Sequence, residues 1–187
     1  RYANPNTFDG FVPECLFTDD DNDDLTDGTP HCTEIFEAFD LHGIGPGRFP
    51  QVDFRYTIEE TGDGDGHIEP GERANIRIRA IADGGFAWPD ILGLSGELSV
   101  ASGYGITPLV STADFAPVIA AAGTSETAEF ELEIADGTVP HPAELVFRYI
   151  ADNSSAEILD TLKFAVGHPQ VLLVDDSPDS SGNYISN

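Results

Sequence analysis

Between residues 51 and 60, QVDFRYTIEE sets Val52, Phe54, Tyr56 and Ile58 on one side and Asp53, Arg55, Thr57 and Glu59 on the other. A period of two belongs to a strand with one buried and one wet face, and it is incompatible with an amphipathic helix over the same residues. The beat returns in ANIRIRAIA, where Ile76 and Ile78 alternate with Arg77 and Arg79, and in AEFELEIAD, where Phe130, Leu132 and Ile134 alternate with Glu129, Glu131 and Glu133. ILGLSGELSV, AELVFRYIAD and AEILDTLKFAVG supply further strands, and Ile106 to Val110 a seventh, with Gly, Pro, Asp and Asn in the connections. Half-buried strands joined by turns, with no helical period between them, predict an all-β fold. The expected architecture is an immunoglobulin-like antiparallel β-sandwich of about seven strands over residues 50–167. The Cys, Trp, Cys pattern of antibody domains is absent and Trp88 falls in a loop, so the expectation concerns architecture and not that family.

The flanks break the pattern. Residues 1–49 read as a loop-rich segment with one short helix through PHCTEIFEAFDLH, with Thr29 as N-cap and Pro30 in the first turn. Ile35, Phe36 and Phe39 share a face, Glu34 and Glu37 point away, and Gly43 ends the helix. One such helix has no core of its own, so Phe36 and Phe39 are expected to pack on the sandwich. Residues 168–187 contain VLLV, a strand apolar on both faces. It reads as the stub of a following domain, an extra strand on the sandwich, or a strand exchanged with a neighbouring chain.

Charge sorts the partners. Against 34 acidic residues stand 8 basic ones, a formal net charge of -26, and Lys163 is the one lysine. Such a chain repels nucleic acid and anionic membrane and attracts cations. No run of 18 apolar residues offers a membrane-spanning helix, and no signal peptide is visible. A chain that opens on Arg1 and lacks methionine reads as a processed product or an excised part of a longer precursor.

The acid is clustered. DDDNDDLTDG, residues 19–28, holds six aspartates, and GDGDGHIEPGE, residues 62–72, holds Asp63, Asp65, Glu69 and Glu72 among turn-forming glycines. Calcium takes six to eight oxygens from carboxylates and backbone carbonyls at about 2.3–2.6 Å, which the second stretch can supply. It is no standard EF-hand: Gly66 comes early, the twelfth position from Asp63 is Ala74, and no long helix flanks it. The expected ligands are Asp63, Asp65, and Glu69 or Glu72 by their side chains, with His67 offering its carbonyl. In the first stretch Asp19, Asp21, Asp23 and Asp27 form one ligand register, and Asp20, Asn22 and Asp24 a second. A salt-adapted surface would also explain the global charge, but not its clustering.

Cys15 and Cys32 bracket the first acidic run. A disulfide between them, closing a loop of about 17 residues, would contribute roughly 3 kcal/mol in an oxidising compartment. The alternative is a pair of buried free thiols. No catalytic constellation stands out: His31, His42, His67, His141 and His168 are scattered, and no HExxH pair, G-x-S-x-G elbow or phosphate-cradling loop occurs. Asn153 opens an NSS glycosylation sequon.

DDDNDDLTDGTPHCTEIFEAFDLHGI resembles the segment that follows the catalytic region in large secreted bacterial proteins of the metallopeptidase and gingipain-like type. TGDGDGHIEPGE is similar to the start of the immunoglobulin-like modules that come next in such proteins, and VGHPQVLLVDDS to the junction where they end. The resemblance implies an extracellular, secreted or cell-surface location and calcium-stabilised β modules. It carries no catalysis, since the peptidase zinc motif is missing, and places any catalytic region before Arg1. The expected function is therefore that of a non-enzymatic, calcium-stabilised extracellular module with structural, adhesion or assembly roles. An accessory domain of a secreted peptidase and a filament subunit that assembles by strand addition are the alternatives. Expected partners are neighbouring domains or further copies of the chain.

Overall fold

The computed structural model describes residues 10–45, 47–83 and 89–168; Trp88 and the VLLV stretch, both assigned above from sequence, lie outside them. Among the described residues eight strands form two four-stranded antiparallel sheets. In chain order they are β1 (Val52–Glu60), β2 (Arg73–Ala82), β3 (Ile91–Ser102), β4 (Ile106–Val110), β5 (Thr112–Ile119), β6 (Ala128–Ile134), β7 (His141–Ile150) and β8 (Glu157–Val166). One sheet runs β1-β2-β6-β4, the other β5-β3-β7-β8.

The alternation read from the sequence is the alternation of burial. On β2, Ala74, Ile76, Ile78 and Ala80 are wholly buried, and on β6 so are Phe130, Leu132 and Ile134. They meet Leu94, Leu98, Leu145, Phe147 and Tyr149 from the other sheet in a single apolar cluster. Phe54 of β1 stacks on Tyr149 at 3.7 Å between ring centroids, and Phe130 meets Phe147 edge-on at 5.4 Å. At the β1 and β8 edges, the Tyr56 hydroxyl donates to Asp160 Oδ2 at 2.5 Å and receives the Tyr149 hydroxyl at 3.0 Å. A phenol, a phenol and a carboxylate thus close one side of the interlayer space.

The scarce basic residues are spent on the outer faces. Arg77 of β2 pairs with Glu59 at 2.7 Å and with its register partner Glu129 at 3.1 Å, while Arg148 of β7 pairs with Glu97 and Glu157. Exposed pairs of this kind contribute little individually, but they leave the acidic loops to balance their own charge.

Three features depart from the sequence reading. The strand β5 was not expected; it follows β4 after Ser111 alone, so the chain passes from one sheet to the other within a residue. Among its described residues the first segment holds two α-helices where one was expected: α1 (Phe11–Asp19) precedes α2 (Cys32–Leu41). Pro13 is tolerated in α1 because it sits in the first turn, where amides lack helical partners. Finally, α2 starts at Cys32 and not at Pro30, because the turn before it is organised from outside: Asp19 Oδ2 accepts the His31 amide at 2.7 Å.

Phe36 stacks on Phe49, just before β1, at 5.8 Å, and Phe39 is partly buried against the same cluster. Val12, Leu16, Cys32 and Phe36 belong to the same buried cluster as the strands. The helical segment is seated on the β7–β8 turn and the approach to β3: the Thr33 hydroxyl donates to Ser154 Oγ, Ser154 Oγ to the Phe49 carbonyl, and the Asp90 amide to the Thr26 carbonyl.

Candidate metal centre

The loop joining β1 to β2, residues 61–72, is built around carboxylates that turn inward. Glu60, the last residue of β1, accepts the Gly62 amide on Oε2 at 2.5 Å. Glu72 reaches back across the loop, with Oε1 accepting the Asp63 amide at 3.3 Å and Oε2 the Glu69 amide at 2.9 Å. That reach requires glycine at position 62, because a Cβ there would lie 1.8 Å from Glu72 Oε1. Asp63 Oδ1 accepts the Asp65 amide at 3.1 Å, and Asp65 Oδ1 the His67 amide at 2.8 Å. Gly64 and Gly66, between these turns, have φ of +83° and +85°, which side-chain-bearing residues adopt at a cost. Ile68 is buried and pins the loop, and its carbonyl accepts the Gly167 amide at 2.6 Å, so the end of β8 lies against it.

Two groups of potential ligands result. One carboxylate oxygen from each of Glu60, Asp63 and Asp65 lies within 4.8 Å of the others, and the ligand atoms of Asp65, His67 and His168 form a second group on the same criterion. His168 Nε2 is 3.1 Å from Glu69 Oε1 and 3.5 Å from Asp65 Oδ2. The His67 amide, and secondarily the His168 side chain, hold the Asp65 carboxyl below its ordinary range, so it is ionised at neutral pH. Carboxylates gathered this closely repel one another, and a cation among them relieves the repulsion.

Among the predicted residues, Asp63 and Asp65 are brought together. Glu69 turns to His168, and Glu72 acts mainly as the brace of the loop. Sequence reading missed Glu60 and His168. Glu60 carries a signal, being an acid directly before the acidic loop; His168 carries none, since only the β7–β8 pairing returns the chain to this corner.

The first acidic stretch behaves differently. Among the described residues no group of three acidic or histidine ligands within 4.8 Å falls in residues 19–27. Asp19, the last residue of α1, is engaged at both oxygens by His31, through the amide and through Nδ1 at 2.8 Å. That hydrogen bond lowers the Asp19 carboxyl and raises the His31 imidazole from their ordinary ranges. Asp24 Oδ1 accepts the Thr26 hydroxyl and amide at 2.6 and 3.1 Å, which lower its pKa in that order. Asn22 accepts the Asp24 amide and donates to Asp27 Oδ2 at 2.9 Å. Asp21, Asp23 and Asp27 are exposed and do not converge. Asp20 Oδ1, from the alternative register, is buried without a hydrogen-bond partner.

Two further expectations are corrected. Cys15 and Cys32 are free thiols and the disulfide is not formed. They sit on different helices, with Cys32 facing the core, where burial above all pushes its thiol up to about 11. Asn153 is no free glycan acceptor: its side-chain amide donates to the Asp90 carbonyl at 2.9 Å while its Oδ1 accepts the Leu92 amide at 3.0 Å.

No family model matches the chain, and no curated protein matches it. Among solved structures it is similar to a family 123 glycoside hydrolase from Clostridium perfringens, with 10% identity and a TM-score of 0.35, over 59% of this chain and 27% of that one. It is also similar to the alkylpurine DNA glycosylase AlkC of Pseudomonas fluorescens, with 14% identity and a TM-score of 0.33, over 62% of this chain and 30% of that one. The chain thus spans less than a third of the length of either. Both are enzymes, and on that finding the expectation that this chain is not an enzyme is withdrawn; TM-scores this low pass neither activity to it. No helix among the described residues is long and apolar enough to cross a membrane.

Proposed function

We propose that this chain is a calcium-stabilised extracellular β-sandwich module of immunoglobulin-like type, serving a structural or assembly role beside neighbouring domains or further copies of itself. The observation that carries the reading is the convergence of Glu60, Asp63 and Asp65 on a glycine-rich strand-to-strand loop, braced by Glu72. Oxygen ligands alone, supplied by carboxylates and nearby carbonyls, suit a hard cation. A cation there ties the end of β1 to the loop that leads into β2, which the Ile68 carbonyl joins to the end of β8. The sandwich then gains stability only where calcium is abundant, as it is outside cells.

The test is a thermal unfolding series in excess chelator and in millimolar calcium at one fixed, high ionic strength. With free calcium about 100 times the dissociation constant, the folded state gains about 2.7 kcal/mol. For a chain of this size that is a rise in Tm of roughly 5–11 °C. Equal Tm values in chelator and calcium overturn the reading.

A further inference from the structure

The group formed by Asp65, His67 and His168 is chemically unlike its neighbour. Calcium does not take imidazole readily, whereas zinc and its first-row relatives do, with bonds of about 2.0–2.2 Å in a tetrahedral arrangement. We propose that Asp65, His67 and His168 form a second cation site, for a borderline metal such as zinc, which shares Asp65 with the calcium cluster and otherwise stands apart from it. The spacing fits. A tetrahedral metal with bonds near 2.05 Å needs donors about 3.3 Å apart, and His168 Nε2 lies 3.5 Å from Asp65 Oδ2, while Glu69 Oε1, 3.1 Å from the same nitrogen, stands beside the group. The His67 ring supplies the third donor, its ligand atom within 4.8 Å of those of Asp65 and His168. Three donors from two distant stretches meet because the Gly167 amide is bonded to the Ile68 carbonyl, in the middle of the loop that carries the other two. All of the predicted donors are accessible, so the metal has an entry path, and a water or an outside ligand can complete its coordination. The inference goes beyond the calcium reading and does not need calcium in the adjoining cluster.

The experiment is a cobalt(II) titration of the full chain at about pH 7.5, where histidine is mostly neutral, in millimolar calcium, followed by displacement with zinc. The expected result is saturation at one equivalent with the intense visible bands of a tetrahedral nitrogen and oxygen site, erased by one equivalent of zinc. His168→Ala is expected to weaken cobalt binding by more than about 100-fold, beyond the loss typical of an outer-sphere partner, while keeping the calcium-dependent rise in Tm. Cobalt saturation in a wild-type chain that shows no calcium response still supports this site and overturns only the calcium reading. Pale octahedral bands without saturation overturn the inference. So does a thiolate charge-transfer band, which would put the metal on Cys15 or Cys32, and so does unchanged binding in His168→Ala.

Discussion

The two acidic loops arrange their carboxylates in opposite ways, and the denser one, residues 19–28 with six aspartates against four acids in residues 61–72, is the one that does not converge. In residues 19–28 the acids take local partners: Asp19 takes the amide before α2, Asp24 closes a turn on Thr26, and Asp27 accepts the Asn22 side-chain amide. In residues 61–72 the strand ends of a hairpin fix Glu60 and Glu72 on either side of a glycine-rich turn, and the acids face one another. Acidic density therefore says little about cation binding. What matters is whether the backbone can turn the carboxylates towards a common point, and here glycine at position 62 and the positive φ of Gly64 and Gly66 allow it.

The largest effect should come from removing the converging acids. Asp63→Asn is expected to abolish the calcium-dependent gain of roughly 5–11 °C, whereas Asp21→Asn, Asp23→Asn and Asp27→Asn leave it in place. A calcium response lost in the second group and kept in the first would invert the comparison.

Gly62→Ala attacks the brace instead of the ligands. The added methyl displaces Glu72 and strips the Asp63 and Glu69 amides of their acceptor, at about 2 kcal/mol or roughly 4–8 °C in Tm, even in chelator. Calorimetry of the calcium-free protein is the check, and a wild-type Tm would show that Glu72 does not organise the loop.

The first loop should answer to pH and not to calcium. The imidazole of His31 is raised above its ordinary 6.5 by Asp19, so the pair's stabilisation is full below pH 6.5 and is lost as pH climbs through the raised value. On the acid side Asp19 is lowered from 3.8, so its share holds above that pH and fades as pH falls through the lowered value. The difference in Tm between wild type and His31→Ala should be greatest near pH 5–6 and shrink by pH 9. A constant difference over that range would show that the charge of the His31–Asp19 pair does not contribute to stability.

The smallest effect belongs to an acid in neither loop. Glu131→Ala, which loses an Arg73 partner at 3.2 Å on an outer sheet face, should shift stability by no more than about 0.5 kcal/mol. A shift as large as that of Asp63→Asn would mean that global charge, and not convergence, governs this protein.

The same contrast explains what could be read from the sequence. Strands with one wet face announce themselves through Ile76, Arg77, Ile78 and Arg79, because burial has the period of the backbone. By contrast β5 hides: TADFAPVI carries a proline and two alanines, and only Ser111 separates it from β4, so neither composition nor a turn marks the change of sheet. The helix α1 hides because its apolar residues are not confined to one face, with Phe11 and Phe17 left exposed beside buried Val12 and Leu16. Loop 61–72 was legible as a ligand source because its acids are local in sequence. His168 was not, because its place depends on the register of β7 with β8, where His141 faces Val166. The disulfide failed as an expectation for a related reason: bracketing an acidic run says nothing about which helix faces the two cysteines occupy.

The hydroxyl pair of Tyr56 and Tyr149 gives this fold an internal optical gauge. Burial first, and the shared hydrogen bonds with Asp160 next, push the ionisation of Tyr56 far above the usual tyrosine range, and burial raises that of Tyr149. In alkali the assembled layers keep both phenols protonated while a separated chain ionises them above about pH 10. Of the 5 tyrosines in the chain, these two should therefore stay silent in the ultraviolet until the sheets part, and then ionise together. The delayed tyrosinate absorbance would time the opening of the sandwich without any attached label.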